Sequence, residues 1–522
     1  MSGIFYPRRL VQYTMRTTVY KNASIVTGLS VAERGLGFLY RIVLSRLIGA
    51  EGLGLYQVAL SLFGLFLTVG TGGVPITVSR MITKSKAQGN ALEEKKSVTA
   101  GFYACLLLSL PVCLFLWIFG EKLPFLFADG RAFAVLKILL IGLCFSCLYA
   151  VVRGYFWGNK EFLTPSLIEI VEETVMVIVG VLLLKNIPSP LVGAKRAAWA
   201  ATVSYLFSFA VATLCFFLQG GKLARPKNSL KPLFNAAMPI TSVRASGSLV
   251  TSAVAVILPV MLMRAGASES DALRLFGIVT GMVFPVLFMP STLIGSLALV
   301  LVPELSEDCY RKNHLRLKKN ILRGLRFSLF VAFALIPFFL VLGDSLGRLA
   351  FANATAGEML RHSCFLLIPM SLTMISTSIL NAMGFEKNTF VFFFVGAAAL
   401  LLAIFFLPAV CGAYAYIVGL GASYIVTAAC NLIFLYKKCP FLKNTRQQVR
   451  DQRPFYALLG IFPITLVGII FRTFLARFLG QTFLFCATAA ILALPTFALY
   501  LFLYLSPRKK SVFSTKKFRF AP

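Results

Sequence analysis

Seven charged residues lie inside stretches of sequence apolar enough to be buried in hydrocarbon, and their types and spacing define the chemistry open to this chain. Glu33, Arg34 and Arg41 fall in the first apolar stretch, Glu169, Glu172 and Glu173 in the fifth, and Arg244 in the seventh. A charge at mid-bilayer costs several kcal/mol on insertion scales (about 3), so each needs a function or a partner. Arg34 and Arg41 are seven residues apart, two helical turns, and so share one helix face. Glu169, Glu172 and Glu173 follow spacings of three and four, which puts them along one side of another helix. Arginine offers the forked donor geometry that fits phosphate oxygens. Three arginines and four carboxylates therefore describe a polar cavity for an anionic, phosphate-bearing head whose lipid tail stays in the bilayer. Arg34, Arg41 and Arg244 are the candidate substrate contacts. Glu33, Glu169, Glu172 and Glu173 are candidates either for a proton or sodium site or for ion pairs with those arginines.

The elements that must position these groups are membrane helices. Of the 522 residues, 58% are hydrophobic and 13% are charged, about half the charge of an average soluble domain. Apolar runs of 18 or more residues, each able to cross about 30 Å of hydrocarbon, recur from end to end. Fourteen spans are expected, near 22–47, 53–79, 98–119, 133–157, 162–184, 193–219, 233–263, 273–301, 325–343, 359–382, 389–408, 412–436, 455–475 and 480–505.

The pattern occurs twice. Val74-Pro75 returns as Val302-Pro303, and Gly158 as Gly384. Gly193-Ala194 with Ser204-Tyr205 returns as Gly412-Ala413 with Ser423-Tyr424, and Asn22-Ala23 as Asn235-Ala236. An internal repeat of roughly 220 residues in an apolar chain is the mark of a transporter built from two related bundles. The expected division is a six-helix lobe over 1–228, its repeat over 229–445, and two extra helices with a basic tail over 446–522. Breaks fall at chosen places: Gly72, Gly73 and Pro75 in the second span, Pro239 and Pro259 in the seventh, and Pro285 in the eighth. A proline frees a backbone carbonyl that must find another partner or line a cavity, so these are the expected hinges.

The net charge of +32 does not signal nucleic acid. The basic residues fall on alternate loops: the N-terminus, Arg80 to Lys96, Lys222 to Lys231, Arg311 to Arg326, Lys437 to Arg453 and the tail Arg508 to Arg519, with Arg153, Lys160 and Lys387 added to this cytoplasmic set. This is the positive-inside distribution, and it places both termini in the cytoplasm of a cytoplasmic-membrane protein. Loops on the other face are short, so no extramembrane domain is expected. Cys144 and Cys147 form a CxxC, but it lies within a span with no second pair or nearby histidine, and no metal site is expected. There is no Ser/His/Asp constellation, no P-loop and no long acidic outward loop, so neither an enzyme nor an ATP motor is expected, and no cofactor. Any energy must come from sodium or proton coupling, the membrane potential or consumption of the product.

The run Glu33-Arg34-Gly35-Leu36-Gly37-Phe38-Leu39-Tyr40-Arg41, continued by Ser45-Arg46-Leu47-Ile48-Gly49-Ala50-Glu51-Gly52-Leu53-Gly54-Leu55-Tyr56, resembles the opening of the polysaccharide-transporter and stage V sporulation protein B group. Gly73-Val74-Pro75 with Ser79-Arg80 matches the same group. The group belongs to the multidrug/oligosaccharidyl-lipid/polysaccharide (MOP) flippase superfamily. The resemblance implies an all-α, V-shaped pair of bundles with a central cavity. It further implies movement of an undecaprenyl-pyrophosphate-linked saccharide, such as peptidoglycan lipid II, from the inner to the outer leaflet by alternating access. It also implies a Gram-positive bacterial source, wall-synthesis enzymes as candidate partners, and a chain acting as a monomer. Lipid II flippases carry an Arg-x-Leu-Gly-Phe motif in the first helix with a second arginine after it. Arg34, Leu36, Gly37 and Phe38 match, whereas Arg41 falls one position later than in the Gram-negative form and agrees with the sporulation type. The competing expectations are an ion-coupled drug exporter, a membrane-embedded glycosyl or phosphoglycosyl transferase, and a non-transporting scaffold for wall synthesis. The first would use Glu33 in an arginine-free acidic cavity, and the second would need a long outward loop with paired carboxylates.

Overall fold

The computed structural model describes residues 8–122, 129–440, 453–476 and 480–505. The basic tail, most of the loop preceding Arg453 and part of the loop after Gly120 lie outside the described residues. Among these the chain is helical, with no strand. In order, the α-helices are α1 (Arg8–Thr71), α2 (Val74–Ala87), α3 (Ala91–Phe119), α4 (Gly130–Gly158), α5 (Leu163–Leu183), α6 (Pro190–Leu218) and α7 (Leu230–Arg264). There follow α8 (Glu269–Gly277), α9 (Phe284–Leu287), α10 (Ser291–Tyr310), α11 (His314–Phe351), α12 (Ala354–Ser363) and α13 (Leu367–Ala382). The series closes with α14 (Glu386–Phe406), α15 (Pro408–Cys411), α16 (Tyr414–Lys438), α17 (Arg453–Leu475) and α18 (Gln481–Leu505).

Ten helical stretches among the described residues are long and apolar enough to cross a membrane. The first, Gly28–Ala87, holds 60 residues, about 90 Å of helix at 1.5 Å per residue, so it must cross twice. It bends at Gly49, whose φ of 71° is open to glycine at little cost. Beside the bend, the Glu51 carboxylate accepts from Arg131 Nη1 at 2.9 Å, while Arg131 Nε donates to Asp129 at 2.7 Å. Asp129 also caps α4 by accepting from the Arg131 backbone N–H, so one knot ties the bend of α1 to the start of α4. Asn90, Ser189 and Ser268 cap α3, α6 and α8 in the same way, as short polar side chains do at helix starts.

Contacts divide the chain differently from the repeat. Unit 1 gathers residues 1–286, 350–359 and 393–423; unit 2 gathers 287–349, 360–392 and 424–522. In unit 1, α4 packs against α1, α2, α3 and α6. Ala194, Ala197, Ala198 and Ala201 of α6 are fully buried, and such small residues let membrane helices approach closely, where dispersion and hydrogen bonds substitute for the hydrophobic effect. Unit 2 has an apolar core in which Ile294, Leu301 and Leu305 of α10 meet Ile375 and Ile379 of α13. A second cluster joins Val341 and Leu342 of α11 to Ile464 of α17 and Leu492 of α18.

The prolines act unequally. Pro239 and Pro259 are both accommodated within the continuous α7. The eighth span is instead interrupted: α8 passes into a π-helical turn over Ile278–Val283, then the single turn α9 containing Pro285, before α10 starts after Pro290. The boundary between the two units, at 286/287, falls in this interruption.

Candidate functional site

The charged residues singled out above all belong to unit 1. Their arrangement has two parts, a helix break tied to α7 and a charged face shared by α1, α4 and α5.

The break comes where Gly72 and Gly73 separate α1 from α2. The Gly72 carbonyl, freed from the helical ladder, accepts from Arg244 Nη1 of α7 at 3.0 Å. The Gly73 N–H donates to Thr241 Oγ1 at 2.9 Å. The Thr68 and Ser248 hydroxyls lie 2.9 Å apart, and Ser252 Oγ donates to the Ser61 carbonyl at 2.7 Å. Thr241, Arg244, Ser248 and Ser252 follow the spacing of one helix face, so α7 supplies a polar edge that satisfies the break. The approach requires glycine: a Cβ on Gly73 would lie 2.2 Å from the Ala237 carbonyl oxygen, and one on Gly72 would lie 3.1 Å from Thr241 Cα. Pro75 sits in the first turn of α2, where its missing N–H costs nothing. Arg244 thus has one guanidinium nitrogen committed to the backbone.

On the charged face, Arg34 and Arg41 are both exposed, and neither forms an ion pair among the described residues. Glu169 does not reach them. It is held by Arg153 of α4, whose Nη1 donates to Glu169 Oε1 at 3.0 Å, with Tyr149 Oη 3.5 Å from the same oxygen. The Arg153 guanidinium also lies over the rings of Trp157 and Tyr149, 5.0 and 5.8 Å from their centroids, a cation–π arrangement. Arg153 is therefore not a loop charge, as its place in the cytoplasmic set implied, but a residue of α4 paired with Glu169 of α5. Tyr149, Arg153 and Trp157 are spaced four apart, and that was the available signal.

Glu173 lies against α1: a Cβ on Gly37 would come within 2.7 Å of its Oε1. One turn further, a Cβ on Gly180 of α5 would meet the Tyr40 hydroxyl at 2.5 Å. Glycines on both helices thus bring the Glu173 carboxylate onto the backbone of the arginine-bearing helix, within electrostatic range of Arg41 and Glu33. Glu33 and Glu172 are half-buried. In this face four carboxylates stand against three guanidinium groups. Near its Arg34 end, a cavity of about 390 Å³ opens between Ile25 and Val26 of α1 and Lys160 to Thr164 at the start of α5.

The Arg153–Glu169 pair carries its own expectation. Arg153→Ala and Glu169→Ala should each lower the detergent-solubilised melting temperature. The double variant should lose clearly less than the sum, because removing one partner of a pair strands the other. Strict additivity would show the pair contributes nothing.

An all-helical membrane chain with these features has the fold of MOP-superfamily transporters. The structure aligns with the lipid II flippase MurJ in its inward closed conformation at a TM-score of 0.68 and 15% identity, covering 92% of this chain and 99% of that one. It aligns with an inward-facing multidrug resistance MATE family transporter of the MOP superfamily at 0.62 and 14% identity, covering 81% and 99%. By sequence it is 25% identical over 360 residues to the stage V sporulation protein B of Bacillus subtilis (strain 168), covering 66% of this chain and 69% of that protein. It is 23% identical over 173 residues to the lipid II flippase MurJ of the same organism, covering 31% and 32%. The polysaccharide biosynthesis protein family model matches residues 19–308, and the chain belongs to that family. It is a multi-pass membrane protein of transporter fold, not an enzyme.

Proposed function

We propose that this protein flips a lipid-linked saccharide, carried on undecaprenyl pyrophosphate, from the inner to the outer leaflet by alternating access. The observation that carries the reading is the pair of arginines on α1, exposed and forming no ion pair among the described residues, opposite a glutamate face. An unpaired guanidinium within a membrane span is costly unless a ligand meets it, and the ligand whose oxygens fit two of them is a pyrophosphate. The family match and the names of the relatives, a lipid II flippase among them, support the same cargo class.

Arg34 and Arg41 bind the pyrophosphate, which enters from the basic, cytoplasmic face by way of the cavity beside Lys160. Arg244 holds the break between α1 and α2 through the Gly72 carbonyl and offers its remaining donors to the head. Gly72, Gly73, Pro75 and Pro285 let the spans bend, while Pro239 and Pro259 shape α7. Carboxylates outnumber guanidinium groups on the charged face, so an anionic head loads best when one carboxylate takes up a proton or sodium ion. Glu173, lying against α1, is the residue placed to couple the two events. Repeated six-helix lobes over 1–228 and 229–445, followed by two extra helices and a basic tail over 446–522, would supply the two alternating halves.

The test is reconstitution of the full chain in vesicles carrying a fluorescent undecaprenyl-pyrophosphate disaccharide in one leaflet. The lipid should equilibrate between leaflets at a rate that scales with protein content, and a cationic dye should not be moved. Dye export with the lipid left in place would establish the drug-exporter reading instead.

A further inference from the structure

Unit 2 contains a second arginine cluster, remote in sequence from the first and unused by the reading above. A cavity of about 210 Å³ is lined by Asp344, Ser345, Arg348 and Leu349 of α11, Arg472 of α17 and Leu484 of α18. That is the volume of about seven waters in the liquid. The same three helices also meet in an apolar cluster of Val341, Leu342, Ile464 and Leu492. Gly468 makes this contact close, since a Cβ there would lie 2.6 Å from Leu492 Cδ2 and 3.1 Å from Val341 Cγ2.

The walls are built rather than incidental. Arg472 Nη1 donates to the Val341 carbonyl, and Nη2 donates to Ser345 Oγ at 2.9 Å, so its fork is turned back against α11. The Asp344 carboxylate is taken by Arg361 of α12, Nη1 to Oδ2 at 3.0 Å. That pair neutralises the one acid that lines the cavity among the described residues. Arg348 is exposed, borders the same space and forms no ion pair among the described residues. Arg348 and Arg472 thus line the cavity while the carboxylate beside them is already paired with Arg361, and the local excess is positive.

This excess sits at the end of α11 that the charge pattern assigns to the outer face, where the positive-inside rule gives basic residues no topological role. Arginines that only anchored helices at the interface would each extend separately toward water. Here residues from α11, α12 and α17 converge. On α17 and α18, exposed apolar side chains flank the pocket residues in sequence: Leu466, Ile470, Phe471, Phe474 and Phe483 are 45–74% accessible. A phosphate held by the arginines would have acyl chains running along that surface. A free inorganic ion would gain nothing from it.

We propose that this pocket binds the phosphate of an anionic phospholipid headgroup in the outer leaflet, with Arg348 as the ligand's open contact and Arg472 as the preset one. The site does not depend on the transported cargo. The two terminal helices, which lie outside the repeat, would be fastened to α11 by a lipid as well as by packing.

The experiment uses purified full-length protein in detergent, titrated with phosphatidylglycerol and, separately, with inorganic phosphate. Native mass spectrometry reads bound lipid, and the melting temperature reads stabilisation. Phosphatidylglycerol should bind and raise the melting temperature, whereas inorganic phosphate should do neither at equal concentration. Arg348→Ala should weaken lipid binding roughly tenfold, the loss of one charge-assisted contact, and Arg348→Lys should recover part of it. The lipid-free melting temperature of both variants should equal that of the wild type, because Arg348 is exposed and forms no ion pair among the described residues. Leu484→Trp, which fills the cavity without changing charge, should weaken binding as well. Undiminished lipid binding by Arg348→Ala or by Leu484→Trp would overturn the site. Equal stabilisation by inorganic phosphate would overturn the assignment to lipid.

Discussion

Replacing Arg41 with alanine should abolish lipid translocation while leaving the amount of protein in the membrane unchanged, and Arg34→Ala should do the same. Neither side chain forms an ion pair among the described residues, so truncation breaks no salt bridge, and both are exposed, so it opens no core. What is lost is the ligand contact. A forked guanidinium–phosphate interaction in a low-dielectric site contributes about 3 kcal/mol or more at its upper range, which corresponds to a loss of roughly a hundredfold per arginine. Lysine keeps the charge but offers a point donor instead of a fork, so Arg41→Lys should retain a small fraction of the activity. The glutamate opposite should behave differently. Glu173→Gln removes a titratable group but keeps its size and its place against Gly37. Flipping should then continue while its dependence on pH or sodium weakens. Full activity of both alanine variants would return the arginines to a structural role. Loss of abundance in Glu173→Gln, with no change in ion dependence, would make that residue a packing element.

The second large effect is expected at the contact between α1 and α8. A Cβ on Gly54 would lie 2.0 Å from the Leu273 carbonyl oxygen, and one on Gly277 would lie 2.2 Å from the Ala50 carbonyl oxygen. Both approaches are to backbone, which cannot move aside as a flexible side chain can. Gly277→Val or Gly54→Val should therefore separate the two helices, at the upper end of the roughly 1–3 kcal/mol usual for overpacking. Translocation should fall at least tenfold, because the arrangement with α1 against α8 becomes inaccessible. Gly64 lies on the same helix with nothing within 4 Å of its Cβ position, so Gly64→Ala is the control and should be near neutral. A cysteine pair at Ala50 and Gly277 would report the contact directly. If Gly277→Val transports at the wild-type rate, this contact is not part of the cycle.

Hydrophobic runs show in the sequence because a membrane span must satisfy its backbone within itself and face hydrocarbon along its length, so residue type alone reveals it. The interruption at Gly72 and Gly73 was visible for the same local reason, since adjacent glycines before a proline weaken a helix wherever it lies. The arginines of α1 stood out because charge in an apolar run is costly in any fold. Partners are another matter. That Glu169 belongs to Arg153 depends on α4 and α5 running side by side, and the residues are 16 apart with a turn between them. That the Gly72 carbonyl is met by Arg244, 172 residues later, depends on α7 lying along the end of α1. Pro239 and Pro259 look like breaks in sequence, yet α7 continues through both, whereas the π turn that divides the eighth span precedes its proline. The arginine pocket of unit 2 was invisible because Arg348, Arg472 and the Asp344 partner Arg361 come from three helices, and each alone reads as an ordinary loop-flanking charge. Composition and period are set one residue at a time. Pairing is decided by which helices touch, and that follows from the packing of the whole chain.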